Sequence, residues 1–282
     1  MFLKTDDDMK AKIILFLLIA ASCSISAQTY EELIETSFDY LDKDDLPAAE
    51  ESLKAAMQLE PGNPANYALL TNLGTIQRRL GKKEEAIISY TAALSRHPDN
   101  LTILENRASL YVETGETEKA IADYNVILTY NPIELEALFS RGILYLQQKD
   151  FIRAEQDFDK MLEVNDKSVQ ARLGYAIMEK MRANYDESER IYNYLISEMP
   201  REWHLYEGRA DLYFMMGKNG RAMTDINKVF AETKEPTSNM YLLRGKIKLA
   251  LYERESATKD FLKAKEMGYD TEIIDELLRM SK

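Results

Sequence analysis

The chain has one cysteine, Cys23, two histidines and one tryptophan among its 282 residues. A single thiol this close to the N-terminus excludes an internal disulfide framework and a Cys-based zinc site. His97 and His204 lie far apart, and no H-x-x-x-H pair, nucleophile elbow or glycine-rich phosphate loop accompanies them. Carboxylate pairs such as Glu31 with Glu35, or Glu84 with Glu85, are ordinary solvated helix faces. We therefore assign no catalytic residue, no metal ligand and no cofactor, and expect a protein that is not an enzyme. Basic residues are also short, 36 Lys and Arg against 48 Asp and Glu, for a net charge of −12. A surface with no basic stripe excludes sequence-independent binding to nucleic acid and disfavours adsorption to anionic lipid.

Proline and glycine are sparse too, seven and eleven, and runs of Val, Ile and Thr are few. With Glu, Lys, Leu, Ala and Tyr abundant, the composition is that of an all-helical protein. No proline falls inside a predicted helix. Pro61, Pro64, Pro98, Pro132, Pro200 and Pro236 fall between helix pairs, and Pro47 sits at a helix start, where its missing N–H costs nothing.

Long apolar runs are absent after the first thirty residues. Residues 9–28, MKAKIILFLLIAASCSISAQ, have the basic start, apolar middle and small-residue tail of a secretory leader. The apolar middle is too short for a permanent membrane span. Asp6, Asp7 and Asp8 are foreign to such a leader, which makes Met9 an alternative start to Met1. Cleavage before Gln28 would remove residues 1–27 with the cysteine, whereas Ala21-Ser22-Cys23 loosely resembles a bacterial lipid-attachment box. Both readings place the chain outside the cytoplasm, in the periplasm or at the cell surface, the second as an outer-membrane lipoprotein. Direct membrane binding is expected only with lipid on Cys23. The net charge survives removal, because residues 1–27 carry three Lys and three Asp.

Residues 101–132, LTILENRASLYVETGETEKAIADYNVILTYNP, read as two short helices parted at Gly115 and stopped by Asn131-Pro132. Neither is stable alone, so the pair must borrow its core from neighbours. Its second helix carries a small residue at Ala120 that recurs at Ala49, Ala86, Ala154, Ser188, Ala222 and Ala257, in steps of 37, 34, 34, 34, 34 and 35. Four residues on lies a large apolar one: Leu53, Tyr90, Tyr124, Phe158, Tyr192, Ile226 and Phe261. Twelve residues before lies another small one: Ser37, Gly74, Ala108, Gly142, Ala176, Ala210 and Gly245. Small residues let helices approach, and the large one fills the wedge that remains. Gly81, Gly115 and Gly217 share one phase, between the two helices of a repeat, where a left-handed cap needs no Cβ.

A period of 34 with this alternation resembles the tetratricopeptide repeat, over about residues 30–268. The resemblance implies a right-handed all-α solenoid. Its seven repeats would span 30–63, 67–100, 101–134, 135–168, 169–202, 203–236 and 238–270, within an array of 28–270. Residues 271–282 would form a capping helix, with Ile273, Ile274, Leu277 and Leu278 on one stripe. Repeat 5 departs most, with Arg172, Glu179 and Ser188 at motif positions.

Repeats 3, 4, 6 and 7 carry an arginine before the first-helix small residue, Arg107, Arg141, Arg209 and Arg244. The same four carry an aspartate before the large residue, Asp123, Asp157, Asp225 and Asp260. The other three repeats have neither. Joint presence and absence predicts a structural ion pair inside each repeat, because pairing between neighbours would leave orphans.

In the family resembled, first helices line a concave groove that holds peptides or partner proteins. The corresponding positions are Thr71, Asn72, Thr75 and Arg79 in repeat 2, and Glu105, Asn106 and Ser109 in repeat 3. Phe139 and Ile143 follow in repeat 4, then Leu173, Ile177 and Met181 in repeat 5. The early groove is polar and the middle apolar, which fits an extended peptide or helix with apolar anchors. The clamp that some relatives use for a terminal carboxylate is missing at Ile34, Phe38, Asn72, Thr102 and Asn106. The functional expectation is a scaffold in the bacterial cell envelope binding a protein or peptide partner. A lipid-anchored accessory of an outer-membrane assembly or secretion complex, and a self-associating structural subunit, are its alternatives.

Overall fold

A computed structural model describes residues 28–281. The leader, Cys23 and both candidate start methionines lie outside the described residues. The described chain forms fifteen α-helices and no strand, and none of these helices is long and apolar enough to cross a membrane. It divides into two compact units, one ending at Tyr130 and the other beginning at Asn131.

The N-terminal unit holds α1 (Tyr30–Asp42), α2 (Leu46–Leu59), α3 (Asn66–Arg79), α4 (Lys83–Leu94), α5 (Leu101–Thr114) and α6 (Thr117–Tyr130). The C-terminal unit holds α7 (Leu135–Gln147), α8 (Phe151–Val164), α9 (Val169–Met181), α10 (Tyr185–Glu198), α11 (Trp203–Met215), α12 (Asn219–Glu232), α13 (Ser238–Ala250), α14 (Arg254–Glu266) and α15 (Thr271–Met280). Within each unit consecutive helices pair as hairpins, and the second helix of a hairpin packs on the first helix of the next hairpin in that unit. Side-chain caps start many of these helices: Thr29 with Glu32 forms a capping box, and Asp45, Asn100, Asp150, Ser168 and Asp270 accept from first-turn N–H groups.

The turn inside every hairpin contains one left-handed residue: Asp44, Gly81, Gly115, Lys149, Ala183, Gly217 and Tyr252, with φ between 59° and 77°. Only three are glycine. The other four bear a strain of about 1–2 kcal/mol each, because the hairpin packed on either side dictates the turn.

All seven second-helix small residues, Ala49 through Ala257, are fully buried, and the large residues four positions on are at most 4% exposed. The small positions of paired helices face each other: Ser37 Oγ donates to the Ala49 carbonyl (3.2 Å) and Ser188 Oγ to that of Ala176 (2.7 Å). Serine therefore substitutes for alanine there without leaving a buried hydroxyl unpaired. Glycine serves the ring. A Cβ on Gly142 would stand 2.6 Å from the Phe158 ring, and one on Gly174, in the next hairpin, 2.5 Å from it. Gly174 lies two residues before its repeat's small position, a second opening that the periodicity had not singled out.

Each arginine–aspartate pair is a two-pronged fork. Arg107 Nε and Nη2 donate to Asp123 at 2.9 and 2.7 Å, and Arg209 to Asp225 at 2.7 and 2.8 Å. Arg141 reaches Asp157 at 3.0 and 2.6 Å, and Arg244 reaches Asp260 at 2.8 and 2.6 Å. The fork joins helices of one hairpin, while Nη1 crosses to the preceding one, from Arg107 to Thr91 (2.9 Å) and from Arg209 to Asn193 (2.6 Å).

Repeats 1 and 5, which lack the fork, carry a different device that the sequence reading missed. Glu50, one residue past Ala49, is 3% exposed. It accepts from Lys54 (2.5 Å) on its own helix, and from Gln77 (3.3 Å) and Lys82 (2.7 Å) of the next hairpin. Glu189, one residue past Ser188, accepts from Tyr213 (3.0 Å), Lys218 (2.8 Å) and Arg221 (3.2 Å). The detectable signal was a glutamate in that position followed by Gly-Lys in the next turn, Gly81-Lys82 or Gly217-Lys218.

Burial pushes the Glu50 carboxyl up, and hydrogen bonds from Lys54, Lys82 and Gln77 outweigh it, bringing the pKa down to about 2. The folded pKa is thus below the unfolded one, near 4.3. The Glu50 contribution is complete above the unfolded pKa and is lost as pH falls toward 2. Two pH units correspond to at most about 3 kcal/mol, less the screening of two lysines that are themselves part exposed. Glu50→Gln should lower stability at pH 7 and flatten its pH dependence between about pH 5 and 2. Urea unfolding across that range checks this, and parallel curves for the two proteins would refute it.

The C-terminal helix closes its unit incompletely. Of its apolar stripe, Ile274 is buried and Leu277 and Leu278 half-buried, but Ile273 is 43% exposed. His97 lays its ring against Tyr67, with centroids 3.9 Å apart.

Candidate functional site

In the N-terminal unit, the polar groove positions are mostly engaged within the protein. Thr71 and Thr75 hydroxyls donate to the Tyr67 and Thr71 carbonyls (2.9 and 3.1 Å), and Thr75 also meets the Tyr90 hydroxyl (3.1 Å). Ser109 accepts from Arg78 (2.9 Å), which also pairs with Glu113, and Arg79 reaches Asp44 in the preceding hairpin's turn (2.7 Å). Asn72 and Asn106 are half-buried and Glu105 is exposed. This face is a satisfied polar surface with few groups left to recognise a guest.

The C-terminal unit differs. Its first helices α9, α11 and α13 stand side by side, and between them opens a cavity of about 480 Å³, within the usual range for a binding cleft. Leu173 and Ile177 from α9, Phe214 from α11, and Leu242 and Leu243 from α13 form apolar walls. Two of the groove residues named from sequence, Leu173 and Ile177, are therefore brought together. Phe139 instead leans toward Phe158, at 6.4 Å between ring centroids, Ile143 is half-buried, and Met181 is 38% exposed; none of these lines the cavity.

Polar groups converge on the same cavity: Lys180 from α9, Tyr192 from α10, His204, Glu207 and Asp211 from α11, and Asn239 and Lys246 from α13. Lys180 is paired with Asp211 at 2.5 Å. Glu207 and Lys246 have no ion pair among the described residues. Burial, and then the charge of Asp211, push the Glu207 carboxyl above the usual carboxylate range. Burial likewise raises the Tyr192 phenol, with Asp211 and Glu207 adding to it. Gly208 keeps the floor open, since a Cβ there would lie 2.5 Å from the Tyr192 hydroxyl. The sequence reading missed this floor because helices of two repeats supply it, Tyr192 from α10 and Gly208 from α11. No cluster of His, Cys, Asp and Glu among the described residues could hold a metal ion. The arrangement can bind an apolar side chain and read polar groups beside it.

A tetratricopeptide repeat family model matches residues 39–100, 71–129 and 105–169. No curated protein matches the chain. Among solved structures, it is 70% identical to a tetratricopeptide repeat protein from Parabacteroides merdae ATCC 43184, covering 90% of this chain and 99% of that one with a TM-score of 0.85. The type IV pilus biogenesis factor PilW is 19% identical, over 75% of this chain and 98% of its own, at a TM-score of 0.59. A chain of the APC/C Cut9–Hcn1 hetero-tetramer is 10% identical, over 93% of this chain and 57% of its own, at 0.62. These two share the fold alone. With the helix-pair architecture and a 70% identical relative spanning nearly the whole chain, the protein belongs to the tetratricopeptide repeat family.

Proposed function

We propose that the protein is a non-enzymatic scaffold that binds a segment of a partner protein in the groove of its C-terminal unit. The observation that carries this is the cavity between α9, α11 and α13, where apolar walls from three repeats surround Glu207 and Lys246, neither of which has an ion pair among the described residues. Tetratricopeptide repeat proteins work in general through protein–protein contacts, and the satisfied polar face of the N-terminal unit directs the choice to the C-terminal one. The leader-like residues 9–28 support export, and with it binding in the cell envelope, with or without lipid on Cys23.

Leu173→Ser with Ile177→Ser should release a partner that the wild-type chain retains on co-purification from the native envelope. Both side chains are only partly buried, so the fold should survive, and circular dichroism would verify it. Retention equal to wild type would assign binding to another face.

A further inference from the structure

We infer that the cavity of the C-terminal unit takes a protein segment presenting an arginine beside an aliphatic anchor. The arginine meets Glu207 and Tyr192, and the anchor enters between Leu173, Ile177 and Leu243. This rests on the groove reading above and specifies its guest.

Tyr192 is 1% exposed, lines the cavity, and receives no hydrogen bond from any described residue. Its counterpart in repeat 2, Tyr90, meets Thr75, one residue past the small position Gly74. The equivalent residue in repeat 5 is Ile177, one past Ala176, which has no hydroxyl to offer. The Tyr192 hydroxyl therefore opens on the cavity with no partner among the described residues, free to bond a guest. Beside it, Glu207 is half-buried with no hydrogen bond or ion pair among the described residues. Lys180 cannot neutralise it, being held by Asp211.

An incoming cation relieves both groups. Guanidinium suits the site better than ammonium: its planar donors reach a carboxylate and a hydroxyl oxygen together, and its face can lie on the Phe214 ring. Lys246, on the α13 wall, is left to take a carbonyl or carboxylate of the same segment. The chain's net charge of −12 favours the approach of a basic partner.

The full chain should be titrated against immobilised hexapeptides Gly-Leu-X-Leu-Gly-Ser carrying each amino acid at X. Arginine at X should bind about tenfold more tightly than alanine or glutamate. Glu207→Gln should narrow that advantage to about threefold or less, with unchanged melting. Tyr192→Phe, which removes only the hydroxyl, should reduce it by about threefold. Uniform binding across X that Leu173→Ser abolishes would overturn the arginine inference and leave the groove reading standing. So would a preference for Asp or Glu at X. Absence of any binding sensitive to Leu173 or Glu207 would overturn both.

Discussion

Arg209→Ala is expected to destabilise the protein by about 3–5 kcal/mol, because it strands a carboxylate that the hairpin has taken out of water. The Asp225 side chain is 7% exposed and that of Arg209 17%, so neither charge keeps the hydration that makes surface pairs nearly worthless. The fork at 2.7 and 2.8 Å joins α11 to α12, and the 2.6 Å bond to Asn193 adds α10. One side chain therefore fixes three helices. The counterpart replacement, Arg209→Met with Asp225→Leu, removes both charges together and should recover most of the loss. Urea unfolding of the full chain measures the cycle. A loss below about 1 kcal/mol for the single change would place the pair in the class of surface bridges.

Phe158→Ala should cost a similar amount, about 3–5 kcal/mol, for a reason that involves no charge. The ring is fully buried and lies close against Gly142 and Gly174, so its removal leaves a void that α7, α8 and α9 can close only by moving together. The converse change, Gly174→Ala, forces a methyl to within 2.5 Å of the ring and should cost about 1–3 kcal/mol. Because both act on one contact, Phe158→Leu combined with Gly174→Ala should be less damaging than the sum of the two alone. Strict additivity would mean that the ring and the glycine are not the joint we describe.

Much of this architecture was legible because the repeat supplies its own internal comparison. Seven copies of a small–large alternation located the core, and the joint presence of Arg107 with Asp123, through Arg244 with Asp260, singled out partners before any coordinate was known. The left-handed turn was legible at Gly81, Gly115 and Gly217 but hidden at Asp44, Lys149, Ala183 and Tyr252, where packing overrides the residue's preference. The glutamates that serve repeats 1 and 5 escaped notice because Glu50 and Glu189 look like solvated helix positions until the next hairpin's lysine is placed over them. The groove was half legible: helix phase identified Leu173 and Ile177 on α9. The floor at Tyr192 and Gly208 depends on how α10 packs against α11 of the next repeat, which no single period records. Phase alone did not reveal that Thr71, Thr75, Arg79 and Ser109 also hydrogen-bond within the protein.

The groove claim is tested most directly by photo-crosslinking in the native host, with a benzophenone amino acid placed at Ile177 or, as a control, at Tyr252. The first position lines the cavity, and the second is 86% exposed on a hairpin turn. A discrete protein adduct from position 177, absent from position 252 and lost when Leu243→Ser is added, is the predicted result. Adducts of equal yield from both positions, or from position 252 alone, would contradict it.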